Sequence, residues 1–280
     1  MSQGTLFVVA TPIGNLDDLS PRAREVLASV ELVAAEDTRV TGRLLSHFGI
    51  DCRLSALHEH NEKERSKALV RRLEAGESIA LVSDAGTPLI SDPGFNVVRR
   101  ALAAGITVSP VPGPSALIAA LSASGLPTDR FVFEGFLPAK KGARAERLAA
   151  LEAETRPMIF YESVHRIDDS LADMAVAFGA GREAFIGREL TKLHEQCVAA
   201  PLGELAGMID QGDIPRKGEF VVIVAGGSAD VAPATDVDRL LSELLEVMPG
   251  KQAANITSRV TGGNRNEIYQ RMLALKAGKS

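Results

Sequence analysis

Short apolar runs alternate with amphipathic stretches of helical length through the first 125 residues. TLFVVA (5–10), ELVAAE (31–36), RLSAL (53–57), IALVS (79–83) and ITVSPV (106–111) read as strands, each too short for a helix. Helices are predicted between them over 21–30, 38–48, 61–74 and 95–104, and after them over 116–124. Ser20 and Pro21 give the first helix its N-cap and first-turn residue, and Gly49, Gly76, Gly105 and Gly125 follow the others as stops. Strands separated by helices require crossover connections, so a mostly parallel sheet is expected.

The pattern changes in the second half. FVFEGF (131–136), PMIFYE (157–162), AFIGREL (184–190), QCVAA (196–200) and EFVVIVA (219–225) are strand candidates, with helices near 143–154, 164–178 and 202–211. Two strands in succession over 184–200 imply antiparallel pairing and an α+β second domain with a mixed sheet. GGSADVAPATD (226–236) is a linker by composition. Helices follow over 237–247, 251–260 and 265–276, the last two joined by a Gly-Gly turn. Ala253, Ile256 and Val260 on one and Ile268 and Met272 on the other give them apolar faces, as in a helix-turn-helix-like unit. The expected division is 1–115, 116–225 and 236–280.

Four turn-rich loops follow predicted strands of the parallel sheet: Ala10–Asn15, Ala35–Arg39, the stretch SDAGTPLISDPG from Ser83 to Gly94, and Val111–Ala116. A parallel sheet places all four at its carboxyl edge, where α/β proteins hold ligands. Their low charge suits backbone and small side chains gripping a neutral or zwitterionic ligand. No GxxxxGK[ST], GxGxxG or GxSxG pattern occurs. Glu36, Asp37 and Arg39 cluster at one strand end and Arg188 ends another, so a general base and a phosphate clamp are sought there. Each is equally readable as a surface ion pair.

The net charge of −5 does not suggest a nucleic-acid partner, but its distribution does. From Gly250 onward Lys251, Arg259, Arg265, Arg271, Lys276 and Lys279 face one acid, Glu267: a net +5 in a chain of −5, leaving −10 on residues 1–249. A basic tail on an acidic body suits an electrostatic tether. Two distant cysteines and an isolated His58-Glu59-His60 offer no metal-ligand spacing, so no metal is expected. No apolar run approaches the roughly 20 residues of a membrane span, and the N-terminus lacks a basic start, so a cytoplasmic protein is expected.

VATPIGNLDDLS, AEDTR, LVSDAGTPLISDPG, VPGPSA and GRELTKLHEQ, in that order, resemble the tetrapyrrole (corrin/porphyrin) methylases, and within them the branch acting on small-subunit ribosomal RNA. The resemblance covers nearly the whole chain. It implies a two-domain α/β methylase fold with a C-terminal helix-turn-helix-like extension, working as a homodimer with S-adenosylmethionine in a cleft between the domains. The implied reaction is methylation of the ribose 2′-hydroxyl of a decoding-centre cytidine in 16S rRNA. Motif by motif, the resemblance puts Pro12, Asp84, Ala85, Gly86, Leu89, Ser115, Ala116, Glu162 and Ala200 at the donor. Glu36, Asp37, Arg39 and Arg188 are then the candidates for chemistry, and Lys251, Arg259, Arg265 and Arg271 for rRNA contact. Methylation of a tetrapyrrole is a second reading, but it gives the basic tail no role. A non-catalytic rRNA-binding assembly factor is a third, against which the intact loops stand.

Overall fold

The computed structural model describes residues 3–58, 60–227 and 237–277. Glu59, Lys279 and residues 228–236 of the expected linker lie outside the described residues. The chain divides into two compact units, 1–149 with 156–225, and 150–155 with 226–280.

The first unit begins with β1 (Thr5–Val9), α1 (Pro21–Ser29), β2 (Leu32–Ala35), α2 (Thr38–His47), β3 (Leu54–Ala56), α3 (Glu62–Glu74), β4 (Ile79–Val82), α4 (Phe95–Ala103) and β5 (Thr107–Val111). The strands form a sheet of order β3-β2-β4-β1-β5, and every pairing in it is parallel. Both faces are covered, which explains why β2 and β4 are buried at every position. Leu32, Ala34, Ile79 and Leu81 pack with Leu69 and Leu73 of α3 and Val97 and Ala101 of α4. The alternate residues Val33, Ala35, Ala80 and Val82 pack with Ala23 and Leu27 of α1 and Leu45 of α2. Each fully buried Leu, Ile or Val contributes about 1.5–3 kcal/mol. Pro110 lacks an amide donor and is accommodated because β5 is an edge strand.

The helix ends follow the sequence signals. The Ser20 hydroxyl accepts from Ala23 N at 3.1 Å to open α1. Beyond α2, α3 and α4, Gly49, Gly76 and Gly105 take φ of 65°, 99° and 71°, the left-handed turn that releases the chain from a helix.

The unit continues with α5 (Ala116–Ala123), β6 (Val132–Phe136), α6 (Lys141–Ala150), β7 (Met158–Ser163), α7 (Ile167–Phe178), β8 (Glu183–Arg188), β9 (Gln196–Pro201), α8 (Leu202–Gln211) and β10 (Glu219–Val224). The second sheet has the order β6-β7-β10-β8-β9. Only β6 and β7 run parallel; β10 lies antiparallel between β7 and β8, and β9 is antiparallel to β8. Leu117, Ala120 and Leu121 of α5 pack on Ile159, Phe185, Val221 and Ile223 of this sheet.

The second unit holds α9 (Val237–Val247), α10 (Gly250–Thr261) and α11 (Arg265–Ala277). Leu241, Ala253, Ala254, Ile268 and Met272 form its core. The apolar face of α10 differs from the expected one. Ala253, Ala254 and Thr257 are buried, whereas Ile256 is 37% and Val260 64% exposed. Small residues at the contact let α10 approach α9 and α11 closely, and this outweighs the burial of two larger side chains placed elsewhere on the helix.

Candidate active site

The four loops at the carboxyl edge of the parallel sheet are tied to one another through the third. Thr11 and Gly86 exchange backbone hydrogen bonds of 2.9 and 3.0 Å, joining the first loop to the third. Asp37 N donates to Asp84 Oδ1 at 2.9 Å, joining the second. Thr87 Oγ1 donates to the Pro114 carbonyl at 3.0 Å, joining the fourth. The first loop is also held from the second sheet, where Thr191 Oγ1 in the β8–β9 turn accepts from Asn15 N at 3.1 Å.

These loops form one side of a cavity of about 400 Å³. Ile13, Glu36, Asp84–Thr87, Ile90–Asp92, Ser115 and Ala116 come from the first half, one or more from each loop. Phe136, Tyr161–Val164 and Gly218–Val221 come from the second sheet. The size suits a small organic ligand. Apolar walls (Ile13, Ile90, Phe136, Val164) surround polar backbone and five carboxylates, Glu36, Asp84, Asp92, Glu162 and Glu219, the last of them paired with Lys192. No Lys, Arg or His lines it among the described residues. A phosphate ligand would lack cations there, whereas a compact zwitterion with a further positive charge finds carboxylates and backbone amides. The donor set fits S-adenosylmethionine on that chemistry.

The third loop is strained where it bounds the cavity. Leu89 and Ser91 have φ of 73° and 68°, in the left-handed region that a side chain disfavours, and Gly86 and Gly94 have 86° and 131°. Non-glycine residues held there cost roughly 1–3 kcal/mol each and need surrounding structure to hold them. Glu62 at the start of α3 supplies it. Its buried carboxylate accepts from Gly94 N at 3.0 Å, Asn96 N at 2.7 Å and Asn96 Nδ2 at 3.0 Å.

Burial is the main cause that raises the Glu36 carboxyl above the ordinary range, with the charges of Asp84 and Asp37 adding to it and the Asp84 amide opposing. Burial also pushes Asp92 up to about 6, helped by Glu36 and Asp84 and opposed by the Ser83 hydroxyl. Asp37 behaves oppositely, held far below the usual carboxylate range by its hydrogen bonds from Arg39.

Of the residues singled out from sequence, Asp84, Ala85, Gly86, Ser115, Ala116, Glu162 and Glu36 come together on the cavity wall. Pro12 is buried and does not line the cavity. Leu89 packs against the core beneath the parallel sheet. Ala200 stands on the edge strand β9 opposite Ala184, off the cavity. Asp37 caps α2 and pairs with Arg39, whose Nε donates to Asp37 Oδ1 at 3.0 Å; neither lines the cavity. Arg188 is buried and spent on backbone, donating to the Lys217 carbonyl at 2.8 Å and the His194 carbonyl at 3.0 Å. Glu162 lines the cavity, yet both its oxygens are engaged. Oε1 accepts from Ser163 N and Arg166 Nη2, each at 2.8 Å, and Oε2 from Ser170 Oγ at 2.6 Å. Lys251, Arg259, Arg265 and Arg271 are all exposed on α10 and α11. The sequence pattern does not single out Asp92, Tyr161 or Phe136 as site residues, and Asp92 reads in it as a turn former.

Among the described residues no group of three or more His, Cys, Asp or Glu is placed to hold a metal ion. No helix there is long and apolar enough to cross a membrane.

The signature of the Tetrapyrrole (Corrin/Porphyrin) Methylases matches residues 5–206. That of the RsmI C-terminal HTH domain matches residues 231–276. The chain is 54% identical over 283 residues to the Ribosomal RNA small subunit methyltransferase I of Pseudomonas aeruginosa, covering 100% of both chains. It is 52% identical to the protein of that name in Escherichia coli O157:H7, over 96% of this chain and 94% of the other. Among solved structures, uroporphyrin-III-C-methyltransferase from Thermus thermophilus superposes with a TM-score of 0.57 at 18% identity, covering 80% of this chain and 94% of that one. Diphthine synthase does so with 0.58 at 14% identity, covering 79% and 90%; both likenesses bear on the fold alone. The matched signatures span both units and the curated relatives span the full length, so the chain belongs to the tetrapyrrole (corrin/porphyrin) methylase family, in the branch of the ribosomal RNA small subunit methyltransferases I.

Proposed function

We propose that the protein transfers a methyl group from S-adenosylmethionine to the ribose 2′-hydroxyl of a decoding-centre cytidine in 16S rRNA, in the cytoplasm and as a homodimer. The observation that carries the reading is the cavity, in which four sheet-edge loops present backbone, small side chains and carboxylates opposite a largely apolar second wall, with no Lys, Arg or His lining it among the described residues. The relatives' names supply the acceptor class.

When bound, S-adenosylmethionine supplies a methyl group carried on positively charged sulfur. Asp84–Gly86, Ser115 and Ala116 bind it through backbone and small side chains, and Gly86 allows that approach because no Cβ projects. Glu36 and Asp84 face its positive charges with negative ones. Ile13, Ile90, Phe136 and Val164 exclude water, which strengthens that attraction. Positioning the hydroxyl in line with the methyl group supplies much of the rate. Glu162 serves as a positioning residue, since its carboxylate fixes the corner carrying Ser163 and Val164 rather than reaching inward. Arg39 is 86% exposed beside the cavity edge and is available to an rRNA phosphate, whereas Arg188 is not. Lys251, Arg259, Arg265 and Arg271 contact rRNA from the second unit. Dimerisation is supported by Phe95 and Leu102, two turns apart on α4 and each 60% exposed, a face that a second copy would cover.

The test is nucleoside mass spectrometry of rRNA after incubating purified protein with S-adenosylmethionine and small ribosomal subunits lacking the modification. A 2′-O-methylcytidine in a decoding-centre fragment is expected. Methylation at a base atom, or of a tetrapyrrole instead, would remove the proposal.

A further inference from the structure

We propose that the corner formed by Phe136, Lys140 and Lys141 docks the RNA strand that carries the acceptor, Phe136 stacking on a base at the cavity mouth and the two lysines meeting the adjoining phosphates. This rests on reading the cavity as the methyl-transfer site and rRNA as the acceptor.

Phe136 is placed by a break in strand register. A strictly alternating strand puts residues 133 and 136 on opposite faces. Between Phe133 and Gly135 the pairing of β6 with β7 slips by one residue, so Phe133 stands opposite Ile159 and Phe136 opposite Tyr161, on one face. Gly135 makes the slip with a φ of 67°. Phe136 then lines the cavity beside Tyr161, the two rings edge to face with centroids 5.7 Å apart. It is nevertheless 54% exposed. A ring packed on one side and open on the other suits a base, which stacks on any flat apolar face.

Lys140 and Lys141 follow at the start of α6. Four residues span at most about 14 Å, so Lys140 lies within that reach of Phe136. The chain between them is pinned. Arg166 Nη1 donates to the Leu137 carbonyl at 3.0 Å and Arg144 Nη1 to the Ala139 carbonyl at 3.4 Å. Arg166 is held in turn by Glu162 of the cavity wall, at 2.8 Å.

The two lysines differ from the other cations of α6. Arg144 pairs with Asp173 and Arg147 with Glu134. Lys140 and Lys141 are exposed, and neither ammonium group has an ion-pair partner among the described residues. Their position also opposes the local electrostatics. Lys141 is the first residue of α6, whose first turn holds no acid, whereas a helix start favours negative charge. Two unpaired cations set against the helix dipole do not serve the helix. An anionic partner accounts for them, and one whose charges alternate with flat bases accounts for the aromatic ring beside them as well.

The test uses small ribosomal subunits lacking the modification, with KM followed across a salt series and donor affinity measured by calorimetry. Lys140→Glu with Lys141→Glu should bind S-adenosylmethionine within about twofold of wild type. Its KM should rise at least about tenfold at low salt, and the slope of log KM against log salt should fall by about 1.4, two phosphates at about 0.7 each. Its melting temperature should equal or exceed that of wild type, because acids suit a helix start. Lys67→Glu, a reversal at an exposed position on α3, should leave KM and slope unaltered. Phe136→Leu keeps an apolar wall without a ring and should raise KM about tenfold, the loss of one stacked base, whereas Phe136→Trp should stay within about threefold. An unchanged KM and slope in the double lysine variant overturns the proposal. A raised KM with an unchanged slope does so too and assigns the lysines to a protein of the subunit, and a lowered melting temperature assigns them to the fold. Equal effects of Phe136→Leu and Phe136→Trp, or donor affinity lost in proportion to the rate, overturn the stacking and leave Phe136 a wall of the donor site. A wild-type protein that methylates no rRNA overturns the reading of the cavity itself, a result visible before any variant is made.

Discussion

Gly86 shows how one residue links fold and chemistry. It bridges to Thr11 through both its backbone groups, and its φ of 86° lies where valine is strongly disfavoured. A Cβ there would meet Ile13 Cγ2 at 3.3 Å, on the cavity wall. Gly86→Val should leave a folded protein, about 1–3 kcal/mol less stable, with donor affinity reduced at least about tenfold. Calorimetry with S-adenosylmethionine and a thermal melt on one preparation check both, and unaltered affinity would take the loop out of the donor site. Gly86 was legible because turn chemistry is local: Gly, Pro and Asp in sequence specify a backbone shape without reference to the rest of the chain. Asp92 belongs to the same local pattern and for that reason looked like a turn former. What sets it apart is burial and the nearness of Glu36, 56 positions earlier, and Tyr161, 69 positions later, which no local pattern reports.

At the scale of elements, Glu62 connects α3 to the start of α4 across the strained loop. Its three hydrogen bonds replace the cap that Gly94 cannot provide from a side chain. Glu62→Ala would leave the amides of Gly94 and Asn96 and the Asn96 amide group without their acceptor, a loss of about 1–3 kcal/mol. The melting temperature should fall and donor affinity weaken, while Glu77→Ala, which removes only a half-exposed partner of Arg72, should alter neither appreciably. Equal effects from the two would show that Glu62 has no special hold on the loop. The elements of the first half were readable nearly to the residue, because helix stops at Gly49, Gly76 and Gly105 punctuate a regular alternation. The second sheet was readable only as a set of strands. Its order places β10 between β7 and β8, a pairing between segments about 30 to 60 residues apart that hydrophobic periodicity does not encode. The cavity's far wall is built from β6, β7 and β10, and so Phe136, Tyr161 and Phe220 are not visible in the sequence pattern.

At the scale of the whole molecule the decisive asymmetry is electrostatic. Residues from Gly250 onward carry six cations against one acid, on a chain whose remaining residues are acidic. Lys251, Arg259, Arg265 and Arg271 stand exposed on α10 and α11, and among the described residues only Arg271 has an ion-pair partner, Asp238 at 3.8 Å. The three helices have a core of their own in Leu241, Ala253, Ala254, Ile268 and Met272, so their cations can be changed without touching the cavity. Each cation that neutralises an rRNA phosphate releases counterions, and binding through them weakens steeply as salt rises. Removing residues 236–280 should leave S-adenosylmethionine affinity within about twofold, because none of the cavity's lining residues lies there. It should raise the apparent KM for small ribosomal subunits and flatten its dependence on salt. Arg265→Glu with Arg271→Glu should act in the same direction and more mildly, since each reversal removes one phosphate contact and adds a repulsion. If the helices serve stability alone, the truncated protein will lose donor binding, or change its oligomeric mass, in step with its loss of activity. Donor calorimetry, mass in solution and KM across a salt series, measured on one truncated preparation, separate these outcomes, and an unchanged KM at every salt concentration removes the tether.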